Sequence, residues 1–308
     1  MVEPLGDPKE QTIRLSVHAR VTCLSWSCDG TTIAVCSTDG IVRLWGLDNL
    51  STCTELAKLA NVSKHFCAHF HPTDPSLLAV CDKTLMLVNA STGAILECDV
   101  VFPAQPINLA FNCDGTLLAV GTKSEDIYCF RLEGDCVRQV WKFSCSFEAN
   151  QFAFLQDNSL VIASGPGTLN VLTGGEIVTR SIRCASSTAY SIAVAANHVA
   201  IGSADATVTI FKVDTLEAHS CVARPEWPIK HLSFSSDGKY LAAGSDDRFI
   251  DISSVPSGEC VYRIGVNGGA TLALKWHPNR HTIAYSADLV DKNGRPEYDV
   301  KLCTFPPQ

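Results

Sequence analysis

Several hallmarks of well-known protein classes are missing from this chain of 308 residues. No apolar run reaches the roughly 18 to 20 residues that a membrane span needs, and the first ten residues lack the apolar centre of a signal peptide. The 15 cysteines include no Cys-x-x-Cys pair, and most lie within apolar stretches. We therefore expect no membrane partner, and we expect reduced thiols that act as small apolar fillers rather than disulfides.

Basic runs and catalytic motifs are also missing. The chain has 24 basic against 32 acidic residues, a net charge of −8, and no long run of Lys or Arg. Because phosphate neutralisation dominates nucleic-acid affinity, we expect no direct sequence-specific nucleic-acid binding. The motifs G-x-S-x-G, G-x-x-x-x-G-K-[ST] and H-E-x-x-H do not occur. We therefore expect neither an enzyme nor a bound cofactor.

What the chain does contain is a repeated pattern of short apolar runs and tight turns. Its most regular copy, residues 225–252, places an Asp-Gly turn between two apolar runs, and both central residues of the favoured hairpin turn need positive φ. The large residue before this turn recurs 40 to 44 residues apart, at Trp26, Phe70, Phe111, Phe154, Val194, Phe234 and Trp276. A period of about 40 to 45 residues is typical of WD-repeat blades. The spacing predicts an all-β, seven-bladed WD-repeat β-propeller.

The chain ends predict how the ring closes. Residues 12–17 have the pattern of a strand without a hairpin partner, and they can become the outermost strand of the C-terminal blade. We expect a flexible N-terminal tail over residues 1–10 and the propeller over residues 11–308. A polar insertion at residues 288–299 precedes the last strand, and loops of about a dozen residues are often functional. A loop of no consequence is the alternative.

Four polar residues of the first repeat form a predicted structural hydrogen-bond set. They are His18, Ser37, Asp39 and Trp45, and Asp39 precedes Trp45 by the spacing found in WD repeats. A buried Asp, His, Ser and Trp chain satisfies turn donors while it holds the outer strands to the inner ones. This set explains the Ser, His and Asp without a catalytic triad.

Two further patterns could be taken for ligand sites. Residues His65, Cys67, His69 and His71 alternate along the second repeat, but zinc sites usually draw their ligands from two elements. The Gly-Pro-Gly at residues 165–167 precedes a strand, whereas a phosphate cradle needs a following helix. Strand packing and a tight turn are the simpler interpretations, so we expect no metal site.

The sixth repeat carries a closer resemblance. Its Trp-Pro at residues 227–228, its LSFSSDGKYLA stretch and its unusual Phe-Ile-Asp-Ile ending at residues 249–252 resemble the sixth repeat of the THO complex subunit 3 family of WD-repeat proteins. Gly-Ser-Ala-Asp-Ala at residues 202–206 and Trp-His-Pro at residues 276–278 match as well. The second repeat departs from the family because it lacks the terminal Trp.

This resemblance implies a nuclear, non-enzymatic scaffold subunit of the THO/TREX assembly, which couples transcription to mRNA packaging and export. It implies docking on the large helical scaffold subunit and an indirect link to a DEAD-box RNA helicase. The alternative is another WD-repeat adaptor. A ubiquitin-ligase substrate receptor should carry a docking helix or tail outside the ring. A histone-tail reader should line the channel mouth with acidic and aromatic residues.

Residue type and position predict which side chains contact a partner. Interface centres favour Trp, Tyr and Arg, and residues 224–228 place a Trp between two prolines where one blade passes to the next. We expect partner contacts from Trp227 and Arg224, with Arg248 on the neighbouring turn. Burial of Trp227 between blades is the alternative.

Overall fold

A computed structural model describes residues 5–15, 19–58, 67–134, 136–175, 177–266, 268–290 and 296–306. All regular structure in these ranges is β-strand. In chain order the strands are β1 (Lys9–Ile13), β2 (Val21–Trp26), β3 (Thr32–Ser37), β4 (Ile41–Gly46), β5 (Asn49–Lys58), β6 (Cys67–Phe70), β7 (Leu77–Cys81), β8 (Thr84–Asn89), β9 (Ile95–Val101), β10 (Pro106–Phe111), β11 (Leu117–Thr122), β12 (Asp126–Glu133), β13 (Cys136–Ser144), β14 (Ala149–Phe154), β15 (Leu160–Ser164), β16 (Thr168–Thr173), β17 (Ile177–Arg183), β18 (Ala189–Val194), β19 (His198–Ser203), β20 (Val208–Lys212), β21 (Ala218–Val222), β22 (His231–Phe234), β23 (Tyr240–Gly244), β24 (Phe249–Ser254), β25 (Cys260–Gly265), β26 (Gly268–Trp276), β27 (Thr282–Val290), β28 (Pro296–Glu297) and β29 (Val300–Thr304).

These strands form seven antiparallel sheets, and six of them hold four strands in chain order, such as β2-β3-β4-β5. The first strands of the sheets contact one another in a closed cycle, from β2 through β6, β10, β14, β18, β22 and β26 back to β2. The sheets are therefore blades around a central channel. The predicted all-β, seven-bladed WD-repeat propeller is confirmed.

The ring is closed by the two ends of the chain, as predicted. Strand β1 pairs with β29, so that Ile13 lies opposite Val300, and the sheet order is β1-β29-β27-β26. Ile13 is fully buried in the apolar cluster between blades 7 and 1. This pairing hydrogen-bonds the edge that an open ring would leave exposed.

The closing strand lies at Lys9–Ile13 rather than at residues 12–17. It ends at Ile13 because the chain then turns to Asp299, whose Oδ1 accepts a hydrogen bond from the Leu15 amide at 2.9 Å. Within the predicted tail, Leu5 is buried in the cluster between blades 6 and 7, and residues 1–4 lie outside the described residues. Where the propeller begins along the chain stays a prediction.

The core lies between the blades. Each blade buries both faces, so the apolar clusters of the described residues each join two neighbouring blades. Between blades 1 and 2, for example, Val42 and Leu44 pack against Leu78 and Val80. No single blade could bury these surfaces alone, so stability depends on the whole ring.

The Asp-Gly turns differ from the sequence expectation in one respect. In the turn from Ser27 to Gly30 only the glycine has positive φ, at 73°, and its amide donates to the Ser27 carbonyl at 2.8 Å. The Ser27 hydroxyl donates to Asp29 Oδ1 at 2.6 Å, and the Thr32 amide donates to the Ser27 hydroxyl at 3.0 Å. Because these side chains close the turn, one left-handed glycine is enough. The expectation of two residues with positive φ was wrong.

The insertion of blade 7 is a hairpin extension where it is described. Strand β27 runs on to Val290 and pairs with β28, and residues 291–295 lie outside the described residues. The Ser286 hydroxyl donates to the Tyr298 carbonyl at 3.3 Å. The insertion thus begins and ends against the blade that carries it.

None of the 15 cysteines forms a disulfide. Cys36, Cys81, Cys129, Cys184 and Cys303 are buried. Burial raises the pKa of Cys129 to about 12, which suppresses the reactive thiolate.

No helix that could cross a bilayer is found in the part of the chain that the structure describes.

Candidate functional site: the upper face around Trp227

The candidate site lies on one face of the ring, which we call the upper face. In a four-stranded antiparallel blade, the turn between the second and third strands and the connection to the next blade lie at the same end. The connection from β21 to β22 and the turn from β23 to β24 therefore both lie on the upper face. The turn between the first and second strands lies on the opposite, lower face.

Trp227 is exposed on this face. It lies in the connection from β21 to β22, and 55% of its surface is accessible. Its neighbour Pro225 is buried, as is Ile229, whose amide donates to the Ser203 carbonyl at 3.0 Å. The loop is therefore anchored on both sides while the indole faces solvent.

Arg224 holds one side of this loop through an ion pair with Asp251, the Asp of the Phe-Ile-Asp-Ile ending. Arg224 Nε and Nη2 donate to the two carboxylate oxygens at 3.0 and 2.7 Å. Nη2 also donates to the Ser253 hydroxyl at 2.6 Å, and Nη1 donates to the Gly258 carbonyl at 2.7 Å. The Asp251 side chain has no accessible surface, so this bidentate contact compensates a buried charge.

The net effect of these contacts is a lowered pKa for Asp251. Burial alone would raise the pKa of this carboxyl, but the hydrogen bonds from Arg224 and Ser253 and the nearby charge of Arg263 outweigh it. Arg263 Nε lies 3.5 Å from Asp251 Oδ2. Asp251 is therefore ionised at neutral pH and fixes Arg224.

Asp247 holds the other side of the loop. Its Oδ2 accepts hydrogen bonds from the Glu226 amide at 3.1 Å and from the Trp227 amide at 3.4 Å. The Ser245 hydroxyl donates to the same oxygen at 2.6 Å. A turn residue of blade 6 therefore sets the backbone position of Trp227.

Arg248 follows Asp247 and is exposed on the same turn. Its guanidinium has no ion-pair partner within the described ranges, unlike that of Arg224. The upper face also carries exposed Val101, Ile107 and Tyr190, which lie where β9 ends and where β10 and β18 begin. The predicted partner residues thus share a face with several exposed apolar side chains.

The structure describes part of the predicted hydrogen-bond set. The Ser37 hydroxyl donates to Asp39 Oδ1 at 2.6 Å, and Trp45 is buried between blades 7 and 1, where its indole donates to neither residue. His18 lies outside the described residues. The four-residue set therefore stays a prediction.

Sequence reasoning missed Arg43, which completes this cluster. Arg43 Nη2 donates to Asp39 Oδ2 at 2.7 Å, Nη1 donates to the Ser37 hydroxyl at 3.0 Å, and Nε donates to Glu55 at 3.2 Å. Burial would raise the pKa of Asp39, but the hydrogen bonds from Arg43, Ser37 and the Ile41 amide lower it overall. A charged residue inside the apolar run Ile-Val-Arg-Leu-Trp was the available signal.

Blade 6 reverses the charge of this position. Arg43 lies opposite Val35 in its sheet, and Asp251 lies opposite Ala243. Val35 and Ala243 each lie two positions before the serine of their blade's turn, so Arg43 and Asp251 occupy equivalent positions. Blade 1 thus uses a buried cation to hold its own turn. Blade 6 uses a buried anion to hold the incoming loop that presents Trp227.

The candidate metal ligands of the second repeat serve other purposes. His71 Nε2 donates to the Gly115 carbonyl of the next blade at 3.1 Å, and Cys67 and His69 line the central channel. His65 lies outside the described residues. No group of three His, Cys, Asp or Glu side chains in the described ranges could hold a metal ion.

Comparisons with known proteins agree with this geometry. The family described as WD domain, G-beta repeat matches residues 9–46, and the anaphase-promoting complex subunit 4 WD40 domain matches residues 193–279. The crystal structure of the Myceliophteria thermophila Cps50 (Swd1) β-propeller domain covers 96% of this chain with a TM-score of 0.79, at 15% identity and over 98% of its own length. This similarity concerns the fold alone.

Sequence relatives add a more specific likeness. WD repeat-containing protein AAC3 of Dictyostelium discoideum is 23% identical over 91% of this chain and 64% of its own length. THO complex subunit 3 of Arabidopsis thaliana is 26% identical over an alignment of 294 positions, which covers 93% of this chain and 91% of that protein. These matches confirm that the chain is a WD-repeat propeller that resembles THO complex subunit 3.

Proposed function

We propose that this protein is a non-enzymatic adaptor subunit of a THO-type assembly that docks on its partner through the upper face around Trp227. The similarity to THO complex subunit 3 over 93% of the chain carries the proposal. A closed ring of packed sheets offers surfaces rather than a moving cleft, so its function depends on what those surfaces bind.

The proposed setting is the nucleus, where the assembly couples transcription to mRNA packaging and export within TREX. The direct partner is the large helical scaffold subunit, and a DEAD-box RNA helicase is reached indirectly. The net charge of −8 fits RNA contact through other subunits rather than through this chain.

Trp227 suits the centre of such an interface. Burying the exposed 55% of a Trp removes on the order of 100 Å² from water, which is worth about 3 kcal/mol. Because Asp247 and Arg224 already fix the loop, docking costs little conformational entropy. The upper face therefore presents a preorganised aromatic anchor, the residue type that dominates binding energy.

Arg224 and Arg248 have different proposed roles. Arg224 donates hydrogen bonds to Asp251, Ser253 and Gly258 of its own chain, so it supports binding mainly by positioning the loop. Arg248 is exposed and can pair with a carboxylate of the partner. Direct contact between Arg224 and a partner stays a prediction.

The channel mouth on the upper face does not favour a histone-tail reader. Its described lining includes Tyr190 but no Asp or Glu, and it includes Lys275, which has no ion-pair partner among the described residues. A basic tail would meet like charge there. The ubiquitin-ligase alternative is tested by the experiment that follows.

The proposal is tested by affinity purification from nuclear extract with the full chain as bait. We expect recovery of a large helical scaffold and a DEAD-box helicase, and strong loss of both with Trp227→Ala. Val140→Ala is the matched control, because Val140 is an exposed apolar residue on the outer strand of blade 3. Recovery of a cullin adaptor instead, or equal capture by both variants, would contradict the proposal.

A further inference from the structure

The central channel contains two cavities that meet at a common waist. The upper cavity, of about 300 Å³, opens where the first strands begin, and the lower cavity, of about 730 Å³, opens where they end. Four side chains line both cavities, namely His69, Asn108, Gln151 and Lys275. These four residues are the waist, and each comes from the first strand of a different blade.

The waist carries a lysine, Lys275, in a protein of net charge −8. Lys275 has no ion-pair partner among the residues that the structure describes, and neither cavity wall brings a carboxylate to the waist. The lining of the upper cavity contains no Asp or Glu within the described ranges. In the lower cavity the acidic lining residue is Asp237, which accepts hydrogen bonds from Ser235 and from the Lys239 amide.

The amides of the waist leave donors rather than acceptors for a ligand. Gln151 Oε1 accepts a hydrogen bond from the Ile192 amide at 2.7 Å, and Asn108 Oδ1 accepts one from the Leu109 amide at 2.9 Å. The Asn108 side-chain nitrogen is buried without a partner among the described residues. An unpaired buried donor is costly, so an acceptor ligand would relieve it.

The histidines leave the charge of the waist to Lys275. Burial and the charge of Lys275 together lower the pKa of His69 to about 3. Burial and the charges of Lys230 and Lys275 lower the pKa of His231 to about 4. Both imidazoles are therefore neutral at neutral pH. Burial also lowers the pKa of Lys275, as expected for an ammonium without a counter-ion.

From this geometry we infer that the channel waist is an anion-binding site that takes a phosphate group, with the Lys275 ammonium as its charged donor and the Asn108 and Gln151 amides as neutral donors. Phosphate matches the site because its oxygens accept several hydrogen bonds at once. A cavity of about 300 Å³ accepts free phosphate or a phosphorylated side chain that enters from the upper face.

The test is calorimetric titration of the full chain at constant ionic strength, with inorganic phosphate in one arm and a short phosphoserine peptide in the other. We expect saturable binding at one site that weakens about ten-fold or more in Lys275→Met, because one charge-assisted hydrogen bond is lost. Lys212→Met is the matched control, since Lys212 is exposed on β20. The affinity of this variant for each probe should stay within about two-fold of the wild-type affinity. Whichever of the two probes binds more tightly shows whether the site takes free phosphate or a phosphorylated side chain.

A second measurement keeps the test valid if Lys275→Met fails to fold. Lysine acetylation of the wild-type chain, followed by peptide mapping, should show that the better-binding probe slows modification of Lys275 but not of Lys212. Absence of saturable binding in both arms, equal affinity of the two variants, or unprotected Lys275 would overturn the inference.

Discussion

Replacing Arg224 with Met should lower the free energy of unfolding by about 3 kcal/mol. The substitution leaves the fully buried Asp251 carboxylate without its bidentate partner, and breaking a buried ion pair typically costs about 3–5 kcal/mol. We expect the lower end of this range because the Arg224 side chain is 27% exposed and Arg263 stays close to the carboxylate.

Arg263→Met is the matched control, because Arg263 contacts the same carboxylate. Its side chain is 46% exposed and its Nε lies 3.5 Å from Asp251, so this ion pair is worth little. The guanidinium also lies 4.4 Å from the centre of the Phe249 ring, a contact that adds about 0.5–1 kcal/mol. The whole substitution should therefore cost about 1 kcal/mol.

The double variant Arg224→Met with Asp251→Leu separates loss of a contact from isolation of a charge. Removing both charges should recover most of the stability lost in the single variant, because no uncompensated carboxylate is left in the core. Guanidinium unfolding followed by two spectroscopic probes gives the three free energies and checks that the transition has two states. The reasoning is refuted if Arg224→Met costs no more than Arg263→Met, or if the double variant is as unstable as the single one.

Two further predictions concern glycine and histidine. Gly30→Ala should lower the free energy of unfolding, measured in urea, by about 3 kcal/mol or more, because Gly30 has positive φ and a Cβ there would lie 2.2 Å from the His277 ring. Gly134→Ala is the control, since Gly134 also has positive φ but lies in open space, and it should cost about 1 kcal/mol. Equal costs would show that His277 moves aside. Burial lowers the pKa of His69 and His231, so as the pH falls the unfolded chain binds protons before the folded chain does. The free energy of unfolding should therefore be highest above about pH 6.5 and should fall by about 1 kcal/mol per histidine by about pH 5.5. Replacing both histidines with Gln should flatten this dependence, and an unchanged slope would contradict the assignment.

The blades were predictable because their signals are local. A large residue followed by a short polar turn, which is Asp-Gly in three repeats, marks each repeat within about ten residues, and the spacing then gives the count. Ring closure followed from a strand without a neighbour and from the cost of an exposed sheet edge. The bounds of that strand were wrong because Asp299, almost at the other end of the chain, captures the Leu15 amide.

The contacts that shape the site could not be read from local patterns. Arg224 meets Asp251 only after the loop folds back over the next blade, so the sequence suggested a free interface arginine where the structure has a loop anchor. Asp251 and Arg43 each stand alone in an apolar strand, a pattern that requires a buried partner without naming it. Lys275 becomes notable only when the first strands of the seven blades surround one channel.

The most direct test of the docking account is the affinity of the purified chain for a purified large helical scaffold subunit of a THO complex, measured by biolayer interferometry. The account predicts that Trp227→Ala weakens binding about 30-fold, the equivalent of about 2 kcal/mol at a hot spot, while Val140→Ala changes it less than about two-fold. Equal affinity of the two variants, or no binding by the wild-type chain, would contradict it.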